Sequence, residues 1–182
     1  ANATLGLRPV VAVIYSHSHV DHYGGAGGLA SDEEYESGKI QVIGPQGFEE
    51  DAVSENVIAG NTMGRRAIYM YGAPLPRSAT GLVGAGLGMA ISTGTNSLIP
   101  PKTIISKTPT ELTVDGVKIV FQFTPGTEAP TEMNAWFPEL KTLWTAENCV
   151  NAMHNLLTLR GAQVRDAKKW AEYLDETLKL FG

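Results

Sequence analysis

The stretch SHSHVDHYGG, residues 16–25, contains three of the four histidines of the chain and one aspartate. It directly follows VVAVIY, residues 10–15, a continuous run rich in β-branched residues that predicts a buried strand. If the backbone stays extended, side chains at positions i and i+2 point to the same side. His17 and His19 can then reach one cation, so the stretch predicts a metal site after a strand.

Asp21 and His22 are adjacent, and their side chains leave the backbone in different directions, which suits a second cation beside the first. Gly24 and Gly25 allow a tight turn after them. Imidazole and carboxylate ligands favour zinc over iron or manganese, and two such ions can hold a shared hydroxide and an anionic substrate. The alternative is a solvated polar loop that is rich in histidine by composition alone.

Length and composition predict one domain over residues 1–182, since 43% of the residues are hydrophobic and 18% are charged. The net charge of -5 argues against a nucleic-acid partner. No apolar run reaches the roughly 18 residues that a membrane span requires. Cys149 is the only cysteine, so no disulfide can form within the chain. The first ten residues lack the features of a signal peptide, and we expect the chain to be part of a longer protein.

The remaining patterns mix strands and helices, which indicates an α+β fold with hairpins rather than an all-parallel sheet. Residues 72–110 are rich in Gly, Pro, Ser and Thr and predict a long functional loop. Asp115-Gly116 suits a type I′ turn in a hairpin over residues 111–123. The other predicted elements are strands over 38–45, 133–138 and 141–147, and helices over 47–72 with an interruption at Gly60, over 151–161 and over 165–181.

The H-x-H-x-D-H motif resembles the signature of the metallo-β-lactamase superfamily. The resemblance implies that the metal ligands of this motif are His17, His19, Asp21 and His22. It also implies an αβ/βα sandwich, in which two mixed sheets pack face to face, helices lie outside and the metals bind at one sheet edge. The domain is expected to be incomplete, with its C-terminal part absent from this chain.

Later segments resemble the alkyl sulfatase branch of this superfamily, whose members include enzymes that degrade dodecyl sulfate. They include NVIAGNTMGRRAIYMYG (56–72), GTEAPTEMNAWFPE (126–139) and LWTAENCVNAMHNLLTLRGAQVRDAKKW (143–170). Glutamates replace the usual later His and Asp ligands in that branch. Glu128 in TEAP matches the first, and Glu147 in TAEN matches the second, which bridges both metals. Asp21 and Glu147 are therefore also assigned to catalysis, and Glu132 is placed outside the ligand set.

The same resemblance suggests residues that hold the substrate. Arg160 matches a sulfate-binding arginine, and a guanidinium can hold two sulfate oxygens at once. Asn96, in the long loop, is a second candidate donor. His154 lies in the predicted helix over 151–161 and does not match a ligand motif. The branch has a further His ligand and a catalytic His in a segment expected beyond Gly182.

The sequence thus predicts a zinc-dependent alkyl sulfatase, or a fragment of one, with two Zn²⁺ ions in the complete site and an alkyl sulfate as substrate. The resemblance implies a homodimer of the full-length protein, and we expect a periplasmic or secreted location. The alternatives are another hydrolase of the superfamily and a non-catalytic metal-binding module. An apolar channel for the alkyl chain is expected from the long loop, lined by Leu75, Leu82, Val83, Leu87 and Met89.

Overall fold

The structure is a computed structural model, and it describes residues 2–86, 88–90, 94–151 and 154–182. Leu87, one residue of the expected channel, lies outside these ranges. The helices are α1 (Asn2–Leu5), α2 (Val20–Tyr23), α3 (Asp32–Glu36), α4 (Phe48–Val53), α5 (Gly60–Tyr71) and α6 (Ala167–Phe181). The strands are β1 (Ala12–Ile14), β2 (Gln41–Pro45), β3 (Thr103–Ile105), β4 (Thr110–Val114), β5 (Val117–Phe123), β6 (Met133–Phe137) and β7 (Thr142–Trp144).

The first sheet is parallel and has the strand order β1-β2-β3. Its first strand is shorter than the apolar run that predicts it, and Tyr15 continues the pairing with a hydrogen bond to Ile43 O. The third strand lies within the stretch that was predicted to be a loop. The His-rich segment follows the carboxyl end of β1 and includes α2.

The second sheet is antiparallel and has the strand order β4-β5-β6-β7. Asp115 (φ 49°) and Gly116 (φ 80°) both adopt positive φ between β4 and β5, which is what a type I′ turn requires. The predicted hairpin is therefore confirmed. Within the described residues each sheet is of one type, so the expectation that both sheets are mixed is wrong there.

Apolar side chains join the layers of the domain. Between the sheets, Ile43 and Ile105 pack against Phe121 and Met133, and all four are buried. On the outer face of the parallel sheet, Tyr15 stacks on Phe48 of α4 with ring centroids 4.7 Å apart. Each large side chain buried in this way stabilises the fold by about 1.5–3 kcal/mol.

On the outer face of the antiparallel sheet, α6 covers the strands. Phe181 stacks on Trp136, and Thr177 donates a hydrogen bond to Gln122. The order of layers is therefore helices, parallel sheet, antiparallel sheet, helix. This confirms the α+β class and the αβ/βα sandwich.

One helix prediction agrees with the structure, and one does not. A π-helical turn at Ser54–Ile58 separates α4 from α5, which begins at Gly60, where the interruption was predicted. The predicted helix over 151–161 is wrong, because none of its described residues, 151 and 154–161, is helical. In this segment Asn155 O and Leu156 O accept hydrogen bonds from Arg165 instead of from helical amides. Among the described residues, no helix combines the length and apolarity needed to cross a membrane.

Candidate metal centre

Four side chains converge at one edge of the sandwich, and we call them the His/Glu cluster: His17, His19, Glu128 and Glu147. One donor atom from each lies within 4.8 Å of the others. The two histidines follow β1 of the parallel sheet, whereas the glutamates follow β5 and β7 of the antiparallel sheet. A hydrogen bond from Met133 N to Ser16 O joins the two sheets next to the cluster.

The distances within the cluster suit a cation. His17 Nε2 lies 3.3 Å from Glu128 Oε2 and 3.4 Å from Glu147 Oε2, and His19 Nδ1 lies 2.9 Å from Glu128 Oε2. His17 Nε2 and Glu128 Oε2 are buried and have no hydrogen-bond partner among the described residues. Buried polar atoms without a partner are costly, and a shared cation would satisfy both. The residues therefore fit a metal ion.

Asp21 and His22 lie beside the His/Glu cluster rather than in it. His22 Nε2 is 3.0 Å from Glu147 Oε2 and 3.5 Å from Asp21 Oδ2. The side chain of Asp21 is 67% exposed, so it marks the solvent side of the group. Glu147 thus contacts both His17 and His22 through the same oxygen, Oε2.

The charges in this region favour ionised carboxylates. The close contacts with His17 and then with His22 lower the pKa of Glu147, against the opposing effect of burial. Burial by itself lowers the pKa of His22, but hydrogen bonds to Asp21 and Glu147 outweigh it and raise the pKa to about 10. Burial lowers the pKa of His17. Since metal ligands must be deprotonated, an ionised Glu147 and a neutral His17 are the forms that bind a cation.

The second ring nitrogen of His17 is also held. Its Nδ1 lies 3.0 Å from Ser16 Oγ and 3.7 Å from Glu132 Oε1. Glu132 is fully buried, and its other oxygen accepts hydrogen bonds from Thr127 Oγ1 and Ala129 N. Burial, with the neighbouring charge of Glu128, raises the pKa of Glu132 to about 8. The structure places Glu132 behind His17, on the side away from the other cluster residues.

His19 leads to two further charged residues. Its Nε2 lies 3.7 Å from Glu55 Oε2, and the other oxygen of Glu55 forms an ion pair with Arg160 Nη1. Arg160 was predicted to bind sulfate, and its guanidinium is linked to His19 of the His/Glu cluster through Glu55. Glu55 was not predicted; it belongs to the π-helical turn, and such turns often occur at functional sites.

Two residues near Glu128 complete the surroundings. Arg165, which was not predicted, is buried and forms an ion pair with Glu128. His154 Nε2 is 3.7 Å from Glu128 Oε1, and its Nδ1 is 3.0 Å from Arg165 Nη1. No local sequence pattern distinguishes Arg165 from the other arginines, since Glu128 lies 37 positions away in the chain.

The long loop contributes less than expected in its described part. Asn96 is exposed, and its Oδ1 lies against Gly24 at the end of α2, 3.0 Å from where a Cβ on that glycine would be. It is outside the His/Glu cluster. Of the residues expected to line a channel, Leu75, Val83 and Met89 are exposed.

Comparisons with known proteins agree with this geometry. The sequence profile of the Metallo-beta-lactamase superfamily matches residues 2–182. An "(R)-specific secondary-alkylsulfatase" from Pseudomonas sp is 50% identical over 96% of this chain and 26% of the relative. A "Linear primary-alkylsulfatase" from Pseudomonas sp is also 50% identical, over 96% of this chain and 26% of the relative.

A solved structure gives the same result. The stereoselective inverting sec-alkylsulfatase Pisa1 from Pseudomonas sp. superimposes with a TM-score of 0.94 at 48% identity, covering 99% of this chain and 28% of that protein. The chain therefore spans about a quarter of the length of the curated relatives that it matches.

Proposed function

The chain belongs to the metallo-β-lactamase superfamily, and from that premise we propose that it carries the metal centre of a zinc-dependent alkyl sulfatase. The observation that carries the proposal is the convergence of two glutamates, Glu128 and Glu147, with His17 and His19. Two relatives that are 50% identical to this chain are named as alkylsulfatases.

The proposed centre holds two zinc ions. His17, His19 and Glu128 would hold one, Asp21 and His22 would hold the other, and Glu147 would contribute to both. Zinc, when bound, lowers the pKa of water and neutralises charge on the sulfate oxygens. The protein itself supplies the ionised Glu147, in contact with the rings of His17 and His22, and the buried setting of His17, in which electrostatic interactions are strong.

Arg160 orients the sulfate ester in this proposal. Its guanidinium pairs with one oxygen of Glu55, whose other oxygen lies 3.7 Å from His19 Nε2. A sulfate can accept hydrogen bonds from the same guanidinium N–H groups, because the planar guanidinium matches two oxygens of a tetrahedral anion. Asn96, on the exposed loop beside Gly24, is proposed as a second donor to the ester.

The test is sulfate release by the full-length protein with zinc present, using a primary ester, dodecyl sulfate, and a secondary alkyl sulfate. We expect release from at least one of them. Arg160→Ala should raise KM about tenfold or more, since hydrogen bonds to charged groups contribute about 1.5–3 kcal/mol each. Arg8→Ala is the matched control, because Arg8 is exposed and forms no ion pair with the described residues, and it should leave KM unchanged.

The same assay distinguishes the alternatives. Hydrolysis of a β-lactam, a thioester or a phosphodiester without sulfate release would show a different hydrolase of the superfamily. Tight zinc binding without any hydrolysis would indicate a non-catalytic metal-binding module. Equal KM values for Arg160→Ala and Arg8→Ala would remove Arg160 from the proposal.

Three wider features stay predictions from the resemblance. They are a homodimer of the full-length protein, a periplasmic or secreted location, and an apolar channel for the alkyl chain. Size-exclusion chromatography with light scattering checks the first, and fractionation of cells checks the second.

A further inference from the structure

The two carboxylate oxygens of Glu128 have different surroundings. Oε2 lies 2.9 Å from His19 Nδ1 and 3.3 Å from His17 Nε2, and it has no hydrogen-bond partner among the described residues. Oε1 instead forms an ion pair with Arg165 Nη2. One oxygen is therefore left for a cation, and the other is occupied by a guanidinium.

Arg165 contacts more of Glu128 than its carboxylate. Its Nε donates a hydrogen bond of 2.5 Å to the backbone oxygen of Glu128. The side chain of Arg165 is buried, and a buried guanidinium persists only when its donors are satisfied. The contact with the backbone oxygen fixes where the Glu128 backbone lies, and the contact with Oε1 fixes the rotation of its carboxylate.

The far side of the guanidinium is anchored as well. Arg165 Nη1 donates to Asn155 O at 2.8 Å and to Asn155 Oδ1 at 2.7 Å, and it lies 3.0 Å from His154 Nδ1. The backbone at Asp166 adds a hydrogen bond to Gly126 O at 3.1 Å, next to the segment that carries Glu128. Arg165 is thus held between two loops before it reaches the carboxylate.

We infer that Arg165 is a positioning residue that makes Glu128 a one-oxygen ligand of the ion held by His17 and His19. Without the guanidinium, Glu128 could turn or bind through both oxygens, and the geometry of this site would loosen. Outer contacts of this kind orient metal ligands and tune affinity. The inference rests on the metal centre of the proposed function but not on the sulfate ester.

The test measures zinc binding to the metal-free full-length protein in competition with a chromophoric chelator, without substrate. In Arg165→Met, we expect one of two zinc ions to bind about 10- to 100-fold more weakly, with the other unchanged. Arg165→Lys should recover part of the loss. An ammonium can reach either Oε1 or the backbone oxygen of Glu128, but it cannot contact both as the forked guanidinium does. When cobalt replaces zinc, the absorption bands of one of the two cobalt ions should differ between Arg165→Met and the wild-type protein.

Arg8→Met is the matched control, since Arg8 is exposed and forms no ion pair with the described residues, and it should retain both ions. Unchanged zinc affinity in Arg165→Met would overturn the inference and leave the proposed function standing. An equal loss of affinity for both zinc ions in a natively folded Arg165→Lys protein would also overturn the inference, because the contact would then support the fold as a whole. A wild-type protein that binds no zinc would overturn the inference together with the proposed metal centre.

Discussion

Glu147 and Glu132 both lie beside His17, but they contact opposite sides of its ring. Glu147 Oε2 is 3.4 Å from Nε2, on the side of the other cluster residues, and 3.0 Å from His22 Nε2. Glu132 Oε1 is 3.7 Å from Nδ1, on the opposite side. The pKa of Glu147 is lowered, whereas that of Glu132 is raised to about 8. The first is suited to bind cations and the second to support an imidazole.

Glu147→Gln should therefore remove metal and activity together, because an amide is a poor ligand where a bridging carboxylate is required. Glu132→Gln should retain most of the metal, since it replaces a carboxyl of raised pKa by a neutral group of the same shape. Elemental analysis of the two purified variants, alongside rates of sulfate release, is the measurement. Equal losses in both variants would mean that the ligand role has been given to the wrong carboxylate.

The spacing of the first motif was enough to predict the histidine part of the site. An extended backbone after a strand puts His17 and His19 on one side, and the structure brings both into the His/Glu cluster. Glu55 and Arg165 could not be predicted in this way. Arg165 and Glu128 are 37 positions apart, and their contact exists only because two loops meet after folding. Local patterns carry no information about such a meeting.

At the scale of elements, apolar spacing predicted α6 but failed for residues 151–161. Both segments have apolar residues at helical intervals. In α6, Asp166 caps the first turn by accepting hydrogen bonds from Lys168 N and Lys169 N, and Trp170 is buried below it. In the other segment, Leu156 and Leu157 are exposed and the carbonyl oxygens bind Arg165. Tertiary contacts, which spacing does not reveal, decide between the two outcomes.

The cap of α6 gives a prediction at this scale. Asp166→Ala should lower the free energy of unfolding by about 1 kcal/mol, because two amide groups lose their acceptor. Asp175→Ala is the matched control, since Asp175 is exposed within α6 and alanine favours a helix more than aspartate does. Chemical denaturation of both variants is the measurement. A loss in Asp175→Ala as large as that in Asp166→Ala would show that the cap contributes nothing.

At the scale of the whole molecule, the candidate centre depends on both sheets. The parallel sheet supplies His17 and His19 after β1, and the antiparallel sheet supplies Glu128 and Glu147 after β5 and β7. The resemblance to a known superfamily predicted this sandwich, whereas periodicity alone indicated only mixed helix and strand. The reason is physical, because periodicity reports which face of an element is buried and not which element covers it.

A metal ion in the His/Glu cluster should therefore link the two sheets and stabilise the fold. Removing it with a chelator leaves His17 Nε2 and Glu128 Oε2 buried without a partner. Binding at about 100 to 1,000 times the dissociation constant contributes about 2.7–4.1 kcal/mol, so Tm should fall by several degrees on chelation. Calorimetry before chelation, after it and after adding zinc back is the measurement. Magnesium is the control cation and should not restore Tm, because it prefers oxygen ligands in octahedral geometry. Equal Tm values for the zinc-loaded and stripped proteins would contradict a metal that joins the sheets.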